Sequence, residues 1–265
     1  MSVSGMDQII NMDYGFFNPN VIYLPFPDNE KNQNIIFDYL DKYHEDISFF
    51  VIEPVISSGG LKVSSELFYN KLLFKLRKYD IISIFDEVAT GFYRTGTRLF
   101  STRLNEKPDI LCLSKSINNG ITPFGAVVIS KDIEKNMIGK DIEHFSTQNG
   151  NLLGMISTKN TINFMKDNEI NIIKNVNFIQ NETKKILDNY NLRCIVYGAI
   201  IAIEINSDYI LELVNDLKKF GILVYIYSNS YSNGVTLFPV LTMDVGEFKK
   251  CLNVILKKGE YYAKS

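Results

Sequence analysis

The sequence predicts an α/β protein, a mostly parallel sheet flanked by helices, followed by a small α+β unit. Two observations lead there. Three short apolar runs, Phe49 to Ile52, Ile81 to Phe85 and Ile110 to Leu113, each end at a polar residue, and a helical pattern separates the first two, as in a strand, helix, strand crossover. From Cys194 onward the order changes to strand, helix, strand, strand, helix, which suits a compact α+β arrangement. The expected division is 1–175 for a partial large domain and 176–265 for a small C-terminal domain.

Residues 1–32 are rich in Asn, Pro, Gly and aromatics without sustained periodicity and read as a surface-hugging connection. A short helix is expected near Asn34 to Tyr43, then a buried strand at Phe49 to Ile52 that stops at Glu53-Pro54. Ser57-Ser58-Gly59-Gly60 is a turn. Ser64 and Ser65 precede an amphipathic stretch in which Leu67, Leu72, Leu73, Leu76 and Tyr79 share a face, with Phe68, Tyr69 and Phe74 also read as core. Further strands are expected at Ala126 to Ile129, Ala199 to Ile205, Leu223 to Tyr227 and Val235 to Phe238. Helices are expected at Asn151 to Lys166, Ile170 to Asn189, Tyr209 to Phe220 and Val245 to Lys257.

Composition narrows the function. The 28 Lys and Arg nearly balance 30 Asp and Glu, a net charge of -2 that offers no long-range field suited to nucleic acid or an acidic membrane. Small-molecule chemistry is the better expectation. Cys112, Cys194 and Cys251 lie far apart with no metal-ligand spacing and leave one unpaired after any pairing, so they read as buried thiols of a reducing compartment. With no signal-peptide pattern in MSVSGMDQII and no membrane-spanning apolar run, a cytoplasmic protein is expected.

Parallel pairing of the first two strands would set Glu53 beside Asp86 at their C-terminal ends, where α/β sheets bind ligands, and the third run delivers Lys115 to the same edge. Two carboxylates and an amine make a plausible site. By itself, though, a strand-end aspartate is more often a cap, and a lone lysine more often a solvated amine. His44, at a polar helix end, and His144 invite a metal or catalytic role, but neither is expected to act chemically.

The stretch Phe85-Asp86-Glu87-Val88-Ala89-Thr90-Gly91-Phe92-Tyr93-Arg94-Thr95-Gly96 resembles the Asp-Glu-Val-x-Thr-Gly-Phe-Gly-Arg-Thr-Gly signature of class III aminotransferases. Pro108-Asp109-Ile110-Leu111-Cys112-Leu113-Ser114-Lys115 is similar to that family's Pro-Asp-Ile segment leading to its Schiff-base lysine, and Lys115 stands 29 residues after Asp86, as the resemblance requires. Glu53-Pro54, Pro123-Phe124-Gly125-Ala126, His144-Phe145-Ser146-Thr147 and Gly150-Asn151 follow the family order. The chain thus resembles the C-terminal two thirds or so of a class III, fold type I enzyme.

The resemblance implies pyridoxal phosphate as cofactor and transamination between an amine or amino acid and an oxo acid. Lys115 would form the Schiff base and relay the proton, and Asp86 would keep the pyridine nitrogen protonated so that the ring takes up electrons. Glu53 would lie near the cofactor ring, and Ala89 near its phenolic oxygen, where some members carry glutamine. Thr147 matches a threonine that bonds the phosphate of the cofactor held by the partner subunit, which implies a homodimer. The resemblance further implies that the phosphate-binding Gly-Ser-Gly loop and the ring-stacking aromatic lie upstream of the matched stretch, in a segment that comes from a separate polypeptide or has been lost. Thr236 stands where the family often has an arginine and forms no bidentate carboxylate pair. Phe145 replaces a usual glycine, and Ser57-Ser58 a common Gln-Gly pair, so the substrate stays open. Two other functions also remain open: an inactive remnant serving as an interaction subunit, with apolar sheet surface left uncovered, and an aminomutase or decarboxylase on the same cofactor.

Overall fold

The computed structural model describes residues 20–141, 147–229 and 231–264. Its first half is a four-stranded sheet of β1 (Phe49–Ile52), β4 (Ile82–Asp86), β5 (Ile110–Leu113) and β6 (Ala126–Ile129), in the order β1-β4-β5-β6. β1, β4 and β5 run parallel, and β6 is antiparallel to β5. The crossover from β1 to β4 carries a small hairpin, β2 (Val55–Ile56) with β3 (Lys62–Val63), that sequence reading saw only as its Ser57 to Gly60 turn.

Helix α1 (Glu30–Tyr43) starts four residues before the expected Asn34, because the Asn29 side chain accepts from Asn32 N and caps it. Helix α2 (Glu66–Lys78) is capped by Ser65, whose Oγ accepts from Phe68 N at 3.1 Å. Ser65→Ala should cost about 1 kcal/mol, read as a lower urea midpoint with an unchanged denaturant slope. The stripe that α2 buries is Phe68, Tyr69, Leu72, Leu73 and Leu76. Leu67 and Phe74 fall one helical position off this stripe and are 63% and 67% exposed, so the expectation that they join the core is corrected. A helix this apolar carries two candidate stripes, and packing chose between them.

The second half is an antiparallel sheet in the order β7-β8-β10-β9, formed by β7 (Cys194–Tyr197), β8 (Ile200–Glu204), β9 (Tyr225–Ser228) and β10 (Asn233–Leu237). β7 escaped sequence reading because Gly198, at φ 59°, folds it straight back onto β8. A short helix, α3 (Lys131–Met137), follows β6. Helices α4 (Leu152–Asp167) and α5 (Glu169–Leu187) lead into this half, and α6 (Ile210–Lys219) and α7 (Val245–Ala263) complete it.

Two cores meet at β8. Ile201 and Ile203 pack with Val235, Leu237 and the helices α5, α6 and α7, while Ile200 and Ala202 face Tyr69, Phe85 and Phe100 of the first core. Burial on both faces is why β8 reads as an unbroken apolar run. The three cysteines are half-buried rather than buried, a correction, although burial still pushes the Cys194 thiol up to about 12. Among the described residues, no helix is long and apolar enough to cross a membrane.

Candidate active site

The parallel register puts Ile52 opposite Phe85, and Asp86 opposite Cys112, so Glu53, Asp86 and the Ser114-Lys115 turn leave the sheet at one edge. Register here depends on Asp109. Its Oδ2 accepts from Ser83 N at 2.9 Å and Ser83 Oγ at 2.6 Å, while Asp109 N donates back to Ser83 Oγ at 3.0 Å. This clasp joins the start of β5 to β4, and a one-residue slip would carry Lys115 away from Asp86.

At the end of β4 the adjacent acids part company. Asp86 Oδ1 accepts from Val88 N at 2.9 Å, closing a local turn that holds Ala89, while Oδ2 takes no hydrogen bond from the described residues. Glu87 turns inward and is fully buried. Its carboxylate accepts from Phe100 N at 2.6 Å, Ser101 N at 2.8 Å and Thr90 Oγ1 at 3.4 Å, capping the 3-10 turn Phe100–Arg103. Sequence reading quoted Glu87 and Asp109 only as members of motifs. Both are the scaffold of the site, and the signal was the pairing of an inward and an outward acid about a strand end.

Lys115 has φ 49°, a left-handed conformation that costs a non-glycine residue about 1–3 kcal/mol and persists only where its surroundings enforce it. Enforcement comes from both sides. Ser114 Oγ donates to Phe124 O at 2.6 Å, and buried Asn118 donates through Nδ2 to Thr122 O at 2.8 Å and accepts from Gly120 N at 3.2 Å. Phe124 is pressed in turn against Gly154 of α4, where a Cβ would come within 2.4 Å of the ring. The Lys115 side chain is exposed, and its Nζ makes no hydrogen bond or ion pair with the described residues.

Glu53, Asp86 and Lys115 share one electrostatic environment. Burial first, then the neighbouring Asp86 charge, push the Glu53 carboxyl up to about 7, against a smaller opposing pull from Lys115. Burial, and secondarily Asp86, also raise the Cys112 thiol.

The remainder of the motif serves the junction between the halves. Arg94 donates from one guanidinium nitrogen to Pro239 O at 2.6 Å and Ala199 O at 3.1 Å, and its burial lowers its pKa to about 10. Gly198 lets the second sheet approach, since a Cβ there would lie 2.5 Å from Arg94 O. Thr236 is buried in β10, and its hydroxyl has no partner among the described residues.

Thr147 is exposed in the turn before α4, and no described contact joins it to the strand-end group. His144, Phe145 and Ser146 lie outside the described residues. His44 caps α1 and stacks on Tyr79 with ring centroids 4.1 Å apart, and no group of metal-binding side chains occurs among the described residues.

The fold is that of an α/β protein with its candidate site at the carboxyl ends of its strands. The chain belongs to the class III aminotransferases, whose family model matches residues 1–258. The ornithine aminotransferase of Plasmodium falciparum (isolate CDC / Honduras) is 25% identical over 260 residues, covering 97% of this chain and 61% of that protein. A transaminase from the marine bacterium Virgibacillus superposes with a TM-score of 0.87 at 21% identity over 99% of this chain and 64% of its own. The ornithine aminotransferase of Toxoplasma gondii, solved with partial occupancy of PLP at its active site, gives 0.81 at 22% identity over 99% of this chain and 61% of its own. The chain therefore spans about three fifths of the length of these relatives.

Proposed function

We propose that this chain forms the lysine-bearing part of a pyridoxal-phosphate-dependent transaminase that moves an amino group between an amine or amino acid and an oxo acid. The observation that carries it is the convergence of Lys115, Asp86 and Glu53 on one sheet edge, where among the described residues the exposed amine makes no hydrogen bond or ion pair and the Asp86 carboxylate keeps one oxygen free. When bound, the cofactor supplies an electrophilic aldehyde and a pyridine ring that takes up electrons.

The chain's residues divide the remaining work. Lys115 would hold the cofactor through Nζ, and the same amine would take up and return the substrate proton. Its enforced backbone keeps that amine in reach. Asp86 would hold the cofactor's ring nitrogen and stabilise positive charge there, Ala89 would leave room for the ring, and Glu53, which holds its proton up to about 7, would limit the negative charge at this edge. Thr147, exposed in its turn, is assigned to the phosphate of a cofactor held across a homodimer. The phosphate cradle and the stacking aromatic fall to the part of the family domain that these 265 residues do not span.

The test is spectroscopic. Mixing the chain with that part of the domain and pyridoxal phosphate should produce an absorption band near the violet from the bond to Lys115, and Lys115→Ala should abolish it. No band in the complemented wild type would sink the proposal.

A further inference from the structure

Tyr69 belongs to the stripe that α2 buries, is fully enclosed, and carries that stripe's only polar side-chain atom. A buried hydroxyl needs an acceptor, and this one donates at 2.7 Å to Pro54 O, the carbonyl of the residue after Glu53. Pro54 is itself buried and has no N–H, so a main-chain hydrogen bond can hold it only through that carbonyl. The Tyr69 ring makes two edge contacts as well. Phe85, one residue before Asp86, lies 5.7 Å away between centroids, and Phe100, whose N–H goes to Glu87, lies 5.1 Å away. One side chain thus touches the backbone turn next to Glu53, the residue before Asp86 and the turn that Glu87 caps.

Register makes this junction sensitive. Ile52 lies opposite Phe85, so Glu53 and Asp86 leave neighbouring parallel strands at the same level, where strands stand about 4.8 Å apart. The charged groups that act on the Glu53 carboxyl are Asp86 at the end of β4 and Lys115 after β5, and the Cys112 thiol of β5 lies on the other side of Asp86. How much water that carboxyl meets, and how close it stands to Asp86, depends on where the Glu53-Pro54 turn sits. Phenylalanine at position 69 would fill the same core and leave the Pro54 carbonyl without this donor. What the hydroxyl adds is therefore a hold on the turn. Burial first, then Tyr197, raises the pKa of the Tyr69 hydroxyl itself, so it remains a donor throughout the range in which Glu53 titrates.

We propose that Tyr69 is a positioning residue for the site: by holding Pro54 it keeps Glu53 tucked beside Asp86, so that the strand edge presents one negative charge and not two. It reaches no reacting atom and acts only through Glu53. The consequence for the reaction rests on the transaminase reading, in which a second anion at this edge would compete for Lys115 Nζ.

Tyr69→Phe removes one oxygen and leaves the ring in place. The Glu53 carboxyl of the full chain, followed by carbon NMR, should titrate near pH 7 in the wild type. In Tyr69→Phe it should titrate about one unit or more lower, because a released turn lets water reach it. Tyr93→Phe deletes the hydroxyl of another buried tyrosine, bonded to Glu169 beside the second core, and should leave the Glu53 titration where it was. Should Tyr69→Phe not fold, the wild type decides. Its Tyr69 ζ-carbon resonance should move with the Glu53 midpoint, and Glu53→Gln should flatten that curve.

An unmoved Glu53 titration in folded Tyr69→Phe would overturn the inference. So would an equal shift in Tyr93→Phe, which would trace the change to a loosened core, or, if the variant does not fold, a Tyr69 resonance that ignores Glu53. The titration shift without the violet band in the complemented chain would uphold Tyr69 as the holder of Glu53 and remove the transaminase reading. The band without the shift would do the reverse.

Discussion

Glu87→Ala should lower the unfolding free energy by about 3–5 kcal/mol, the largest effect expected of a single side chain here. The carboxylate is fully buried and accepts from Phe100 N and Ser101 N, which begin a 3-10 turn and have no carbonyl partner of their own. Truncation leaves both N–H groups desolvated and opens a cavity beside Thr90. Because a domain's total stability is on the order of 5–15 kcal/mol, the variant should sit near its unfolding threshold. Urea denaturation gives the midpoint shift. Glu87→Gln should recover part of it, since one oxygen remains to accept while the amide presents a donor to a second donor. A shift below about 1 kcal/mol for the alanine variant would show that the 3-10 turn rearranges to satisfy itself.

Glu53→Gln should do the opposite, adding about 2–3 kcal/mol near pH 8 and nothing near pH 4. The sign follows from the raised pKa. In the unfolded chain Glu53 ionises around its ordinary value of 4.5, whereas in the folded chain it holds its proton up to about 7. Between those values the folded state binds more protons, so its stability falls as pH rises through the window and levels off above it. Glutamine is neutral throughout and escapes the penalty. Chemical denaturation of both proteins at the two pH values isolates the effect. An equal gain at both would trace it to packing, and no gain at either would mean that water reaches the carboxylate.

A stabilising substitution at a charged position also bears on function, because sites commonly hold groups whose charge the fold disfavours. Two acids at one strand edge repel, and Glu53 relieves the strain by keeping its proton. Asp86 keeps Oδ2 free of hydrogen bonds from the described residues. The clasp at Asp109, the buried cap at Glu87 and the left-handed Lys115 then fix the groups in place before any ligand arrives. Such preorganisation is what a site on a sheet edge, rather than on a free loop, provides.

The sequence by itself determined the strands at Phe49–Ile52, Ile110–Leu113 and Ala126–Ile129, because short apolar runs bounded by turn residues leave little choice. It also determined the convergence of Glu53, Asp86 and Lys115, since strands that pair in parallel must end at the same edge. The motif about Asp86 and Lys115 carried the family, and the match over residues 1–258 agrees with it.

Tertiary structure decided what depends on a partner distant in sequence. Which stripe of α2 is buried, with Phe74 outside and Phe68 inside, turned on the sheet beneath it. The inward turn of Glu87 needed the 3-10 turn at Phe100, thirteen residues on, and the pKa of Glu53 needed both its burial and the charge on the neighbouring strand. The uncovered face of the first sheet is of the same kind. Alternation marks Val51 and Val127 as apolar, but only the packed fold shows that α2 lies over the other side of the sheet while theirs is exposed among the described residues.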